Sequence, residues 1–164
     1  MKPTEVYQKV QGEFDDAIET IDAEAPDPYV VVKPVSLLKI CRFLHDEDEC
    51  AFHCLTNMSG VDFVKEGKIQ VVLHLYSYIH REMVILKVDA SRDKPKVPSV
   101  ETVWKAANWL EREIYDLLGV EFVGHSDLRR LLMPEDWVGH PLRKDFVEPD
   151  EYHGISTRRE SLLK

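Results

Sequence analysis

From Val100 to Leu118 the apolar residues recur at steps of three and four: Val100, Val103, Ala107, Leu110, Ile114, Leu117 and Leu118. That spacing predicts one amphipathic helix with a core-facing stripe. Ser99 can cap its start, with Pro98 just before it and Glu101 in the first turn, where the helix dipole favours an acid. Gly119 can take the left-handed conformation that ends it. Thr4 to Ile21 repeats the helical spacing through Val6, Val10, Phe14, Ala17, Ile18 and Ile21, until Pro26 and Pro28 break it. Tyr29-Val30-Val31-Val32 is short and β-branched, which predicts a strand. Ser36 can cap a second helix carrying Leu37, Leu38, Cys41 and Leu44, and Asp46 to Glu49 then reads as a solvated loop.

A strand-rich block follows. Cys50 to Thr56 alternates loosely, and Asn57 to Asp62, with Gly60, reads as a turn. Ile69 to Tyr78 carries bulk on both faces and predicts a central strand. Ile79 to Glu82 looks like a hairpin connection to the strand Met83–Val88. Asp89 to Pro98 reads as a surface loop, and Val120 to Val123 as a short last strand. This order predicts an α+β fold. The expected form is a two-layer domain over residues 1–124, a mixed and mostly antiparallel sheet with helices on one side. An extended C-terminal tail, 125–164, follows and is expected to dock on a partner.

Two positions on the long helix break a simple core-and-solvent division. At about 100° per residue, Glu111 falls inside the edge of the apolar arc. It must reach water or find a partner. Arg129 and Arg130 are the candidates, so Glu111 is expected in a structural ion pair. Trp109 falls almost opposite the arc, near Arg112 and Asp116, where a second protein can cover it. Asp127 to Met133 suggests one or two helical turns. From Pro134 onward no period survives, yet Trp137, Leu142 and Phe146 are unusual for a disordered tail. Such a segment is functional or held by a partner, and docking on another subunit is preferred over packing back on its own domain.

Bulk composition narrows the classes. The chain has 164 residues, enough for one domain with a real core. The net charge of -9, with acids clustered early, argues against broad nucleic-acid binding. No apolar run approaches the roughly 20 residues of a membrane span, and the polar start lacks a signal-peptide pattern. Three clustered cysteines, Cys41, Cys50 and Cys54, argue against a disulfide framework and suggest a reducing compartment.

Candidate chemistry is thin. His45, Cys50, His53 and Cys54 lie close in sequence, but their spacing on a predicted strand suits a zinc site poorly. His125, His140 or His153 could pair with Glu111 or Asp116 for acid–base work. No nucleophile elbow, phosphate loop or dinucleotide fingerprint is present. The mixed charge of Arg129, Arg130, Arg143 and Lys144 with Asp127, Asp136 and Asp145 suits specific ion pairs.

At this point the residues resemble a known family. Glu111-Arg112-Glu113, Asp116-Leu117-Leu118, His125, Arg129 and Leu131-Leu132, at these spacings, fill the pattern of the 30-kDa (C) subunit of respiratory complex I. Val97 to Val100, Trp104 to Trp109, Gly139 to Phe146 and His74 to Ser77 are also similar to that family. The resemblance implies a non-catalytic peripheral-arm subunit of proton-pumping NADH:quinone oxidoreductase, with no cofactor of its own. The complex as a whole would carry FMN, iron–sulfur clusters and quinone. The implied partners are the 49-kDa (D) subunit and the small (B) subunit with the terminal cluster. The implied place is the inner membrane, peripheral, on the cytoplasmic side. An equivalent subunit of a membrane-bound hydrogenase or formate-oxidising complex is the alternative. Because the chain stops at Lys164, the separate rather than the D-fused type is expected. The expected partner-facing residues are Trp109, Arg112, Asp116, His125, Arg129, Arg130, Trp137, His140, Pro141, Arg143, Lys144 and Phe146.

Overall fold

Five strands form one mixed sheet in a computed structural model that describes residues 2–158. The last six residues of the expected tail lie outside the described residues. Helix α1 (Pro3–Phe14) leads through one 3-10 turn into β1 (Ile18–Asp22), then β2 (Tyr29–Val32) and α2 (Leu37–Asp46). Three ten-residue strands follow: β3 (Cys54–Phe63), β4 (Lys68–Ser77) and β5 (Glu82–Ser91). The chain closes with β6 (Lys96–Pro98), α3 (Ala107–Leu118), β7 (Glu121–Val123) and a small hairpin, β8 (Glu151–Tyr152) and β9 (Ile155–Ser156). The sheet order is β1-β2-β5-β4-β3, and only β2 and β5 run parallel.

Alternation decides which face is buried. Cross-strand partners Val71 and Val88, Leu73 and Leu86, and Leu75 and Val84 share one face with Val30 and Val32, and all are fully buried. Each such side chain contributes roughly 1.5–3 kcal/mol over its exposed state. On the other face Val72, His74 and Tyr76 are only half-buried. Tyr7 ties α1 to the sheet: its hydroxyl donates to Pro28 O at 2.6 Å and accepts the Ile85 N–H at 3.1 Å. Burial raises the phenol above its ordinary pKa.

Several boundaries differ from the periodic reading. The first helix stops at Phe14 because Ile18 to Asp22 pairs with β2 instead of completing the stripe. Asn57 to Asp62 is strand interior rather than turn. Its Gly60 marks a close approach, since a Cβ there would lie 2.4 Å from Leu118 Cδ1. The long helix begins at Ala107, not Val100. Ser99 N–H bonds to Val123 O, continuing the β6–β7 pairing, and Val100 to Trp104 form a separate turn. The indole N–H of buried Trp104 donates to Phe52 O. The apolar spacing survives across this break, so periodicity alone merged two elements into one.

Candidate functional site

Helix α3 and the irregular strand that covers it, 125–146, carry most of the residues singled out above. An α-helix leaves its last four carbonyls without partners. Here Tyr115 O accepts the Gly119 N–H at 2.8 Å, with Gly119 in the left-handed region at φ 75°. Asp116 O accepts His140 Nδ1–H at 2.9 Å, Leu117 O accepts the Leu142 N–H at 3.0 Å, and Leu118 O accepts Arg143 Nε–H at 2.7 Å. The covering strap therefore caps the helix that it crosses.

Asp116 fixes the other end of the strap. Its Oδ2 accepts three successive backbone N–H groups, from Leu131 at 3.0 Å, Leu132 at 2.7 Å and Met133 at 2.8 Å. Its Oδ1 faces Arg130 Nη1 at 2.7 Å. Burial works against this charge, but the N–H groups and Arg130 outweigh it and hold the carboxyl below its ordinary pKa. Arg130 also donates to Trp137 O and Gly139 O. Arg112 donates to Arg129 O and Arg130 O, with its guanidinium 5.0 Å from the centre of the Trp109 ring.

The strap is pinned again at β3. Asp62 accepts Arg92 Nε–H at 2.7 Å, Arg92 Nη2–H at 3.0 Å and the Lys144 N–H at 2.9 Å. Arg92 reaches Asp145 as well, at 2.5 Å. The Arg92 guanidinium holds both carboxyls below the usual range. Further along, Trp137 stacks on Phe146, with ring centres 6.4 Å apart, and its Nε1–H is buried with no acceptor among the described residues.

At the start of α3, His125 Nε2–H donates to Asn108 O at 3.0 Å and Nδ1 accepts the Asp127 N–H at 2.9 Å. Glu101 accepts from Asn108 Nδ2 and from the Ser126 N–H. Glu111 is fully buried. Its Oε1 accepts the Val100 N–H at 2.7 Å, while Oε2 has no hydrogen-bond partner among the described residues. Burial pushes this carboxyl up to about 7 against the pull of the Ser99 hydroxyl and the Val100 N–H. The neighbouring Cys41 thiol is pushed up too, by its own burial and then by the nearby Glu111.

These contacts correct four expectations. Glu111 meets backbone and not an arginine: Arg130 is committed to Asp116, and exposed Arg129 pairs with Asp127. Arg112 and Asp116 are buried rather than outward-facing. The strap packs on its own domain through Arg130, His140 and Arg143, because those side chains answer the polar groups at the end of α3. Asp127 to Met133 forms no helix, since its amides turn towards Asp116. Trp109 does face outward, 60% exposed, and Arg129 and Lys144 are exposed. The His125 side chain is buried, with both ring nitrogens bonded within the chain rather than facing a partner, and Trp137, Pro141 and Phe146 are half-buried. Asp62 and Arg92 escaped the sequence reading because both fell in segments taken for loops.

The proposed chemistry elsewhere is not assembled. His45 and His53 meet edge to face at 5.1 Å, and His45 Nδ1 lies 2.7 Å from Asp46 Oδ1. Among the described residues no three His, Cys, Asp or Glu side chains are placed to hold a metal. His153 pairs with Asp136, far from Glu111 in the chain. Among the described residues no helix is long and apolar enough to cross a membrane.

Residues 30–152 match a family model described as "Respiratory-chain NADH dehydrogenase, 30 Kd subunit". The C subunit of NADH-quinone oxidoreductase from Roseiflexus castenholzii is 43% identical over 141 residues, covering 85% of this chain and 81% of the relative. The corresponding protein of Chlorobium phaeobacteroides is 42% identical over 153 residues, covering 91% of each. Two solved structures share the fold. A trypsin-resistant fragment of Nqo5 aligns with TM-score 0.63 and 24% identity, over 78% of this chain and all of that one. A chain of the membrane-bound sulfane sulfur reductase, an archaeal respiratory membrane complex, aligns with TM-score 0.73 and 23% identity, over 88% and 85%.

Proposed function

This chain belongs to the respiratory-chain NADH dehydrogenase 30 Kd subunit family, and from that premise we propose that its strap-covered helix docks it on the quinone-reducing module of the complex. Its relatives are subunits of NADH-quinone oxidoreductase, so the chain is a component of a hetero-oligomeric respiratory membrane complex. In this reading its partners are the 49-kDa (D) subunit and the cluster-bearing small (B) subunit. The chain binds no cofactor itself. FMN, the iron–sulfur clusters and quinone sit in its neighbours, and electrons pass through them. It lies at the inner membrane, peripherally, on the cytoplasmic side.

The observation that carries the docking role is the outer surface of the strap. Its inner side is spent on α3, yet Trp109, Leu132, Val138, Leu142 and Val147 stand 55–85% exposed around it. Exposed apolar groups concentrated on an otherwise ordered segment mark an interaction surface. The contribution to turnover is geometric: the intramolecular bonds hold the strap rigid, so the partner meets a preformed surface and loses less entropy on binding.

Expression in a host lacking its own 30-kDa subunit tests this. The chain should enter a complex with the D and B subunits and restore quinone reduction. A Trp109→Ala, Leu132→Ala double variant should remain folded and enter poorly. Full incorporation of that variant would sink the docking role. The likeness to the sulfane sulfur reductase chain favours a second reading, an equivalent subunit of a hydrogenase-type complex. That likeness is one of fold, whereas the 42–43% identities favour the quinone-linked complex. Mass spectrometry of the co-purifying subunits separates the two.

A further inference from the structure

The sheet has two edges, and they are guarded differently. β1 has five residues, is irregular between Ile18 and Thr20, and carries Glu19 and Asp22. Bulges, short length and charge are the usual protections of an edge. β3 has none of them over Asn57–Val61. Its one irregularity lies earlier, between Leu55 and Asn57, and Asn57-Met58-Ser59-Gly60-Val61 holds neither charge nor proline. β3 pairs with β4 on one side, and among the described residues its backbone makes no hydrogen bond on the other.

Beside this edge lies a cavity of about 140 Å³, between β3 and α3. Met58, Gly60, Ile114, Leu117, Leu118 and Leu142 line it. That is close to the size of apolar cavities that accept a benzene-sized group. Glu113 stands exposed on its rim, with no cation within ion-pair distance among the described residues. We infer that the outer edge of β3 receives an extended segment of another polypeptide as a sixth strand, one aliphatic side chain of which fills this cavity and a Lys or Arg of which meets Glu113. Main-chain bonds then supply affinity and the pocket supplies selectivity. A second copy of this chain fits poorly, because each copy carries a net charge of -9 and would bring its own Glu113 to the same seam.

Amide hydrogen exchange on the assembled complex and on the free chain tests this; it rests on the assembly reading only for its sample. In the free chain the outward amides of Asn57–Val61 should exchange freely. In the complex they should slow by about tenfold or more, as expected for newly made backbone bonds. A photo-crosslinking residue at Val61 should join an extended, non-acidic segment of another subunit. Leu117→Phe, which fills the cavity from within, should abolish the slowing while the fold persists by circular dichroism. Unchanged exchange in a complex that contains the chain, or a crosslink to a second copy, overturns the inference and leaves the assembly reading standing. A chain that joins no complex overturns both.

Discussion

Arg130 and Asp116 meet across the seam between strap and helix, with Nη1 2.7 Å from Oδ1, on a carboxylate already holding three backbone N–H groups. Asp116→Asn keeps the shape but turns one acceptor into a donor facing other donors. Removing one side of a buried pair costs about 3–5 kcal/mol. Urea unfolding should show a loss of that order, and exchange should rise first at Leu131 to Met133. A loss under about 1 kcal/mol would mean the strap is held elsewhere.

Asp116 also sets an acid limb. Its folded pKa lies below the unfolded value, so its stabilisation is present above the unfolded pKa. It is lost as pH falls through the folded one. Stability measured downward from pH 5 should fall in the wild type and fall less in Asp116→Asn.

Glu111 works with the opposite sign. Its carboxyl rises from 4.5 to about 7 on folding. Stability relative to a neutral side chain is then full below about 4.5 and declines as pH rises to about 7, by about 3 kcal/mol in all. Glu111→Gln keeps an acceptor for the Val100 N–H and should remove that decline. A wild type and variant with parallel pH profiles over this window would refute the buried, protonated state.

Arg92 joins Asp62 of β3 to Asp145 of the strap. Arg92→Ala leaves both carboxylates without their cation. Limited proteolysis should then cut near Lys144 and Asp145 sooner than in the wild type, with the sheet intact. Equal cutting rates would show that the Lys144 N–H bond to Asp62 suffices.

Gly60→Ala tests the seat of α3 on β3. A Cβ would sit 2.4 Å from Leu118 Cδ1 and 3.2 Å from Ile114 Cγ2. Overpacking of this kind costs about 1–3 kcal/mol. Thermal unfolding checks it, and an unchanged Tm would mean that Leu118 swings clear.

β4 was legible because its period of two admits one solution along the strand, whereas β5 was legible only from Met83 to Val88: Val84, Ile85 and Leu86 are buried in succession, and Asp89–Ser91, read as loop, continue the strand. Glu111 and Trp109 were placed correctly on their helix for the same kind of reason: angle follows from spacing. Ile18 and Ile21 misled, because a three-residue step fits a helix until a pairing strand is present. Partners across space were not legible. Arg129 and Arg130 looked equivalent for Glu111, but only the fold shows Arg130 spent on Asp116. Asp62 and Arg92 carried no signal, since a bond spanning thirty residues leaves no trace in local pattern.

The capped end of α3 also has a consequence in time. During synthesis the helix emerges first, and the groups that satisfy Asp116, Leu117 and Leu118 follow only with residues 130–143. A nascent chain with Gly119 just clear of the ribosome would leave those carbonyls and the Asp116 carboxylate to water alone. The sheet can form early, but the seam between α3 and the strap matures last. The end of α3 thus reaches its final hydrogen bonding only after the segment that crosses it has been made. Ribosome-bound chains with residue 125 just clear of the exit should accordingly be protease-sensitive at α3, and those carrying residue 146 clear of the exit should not.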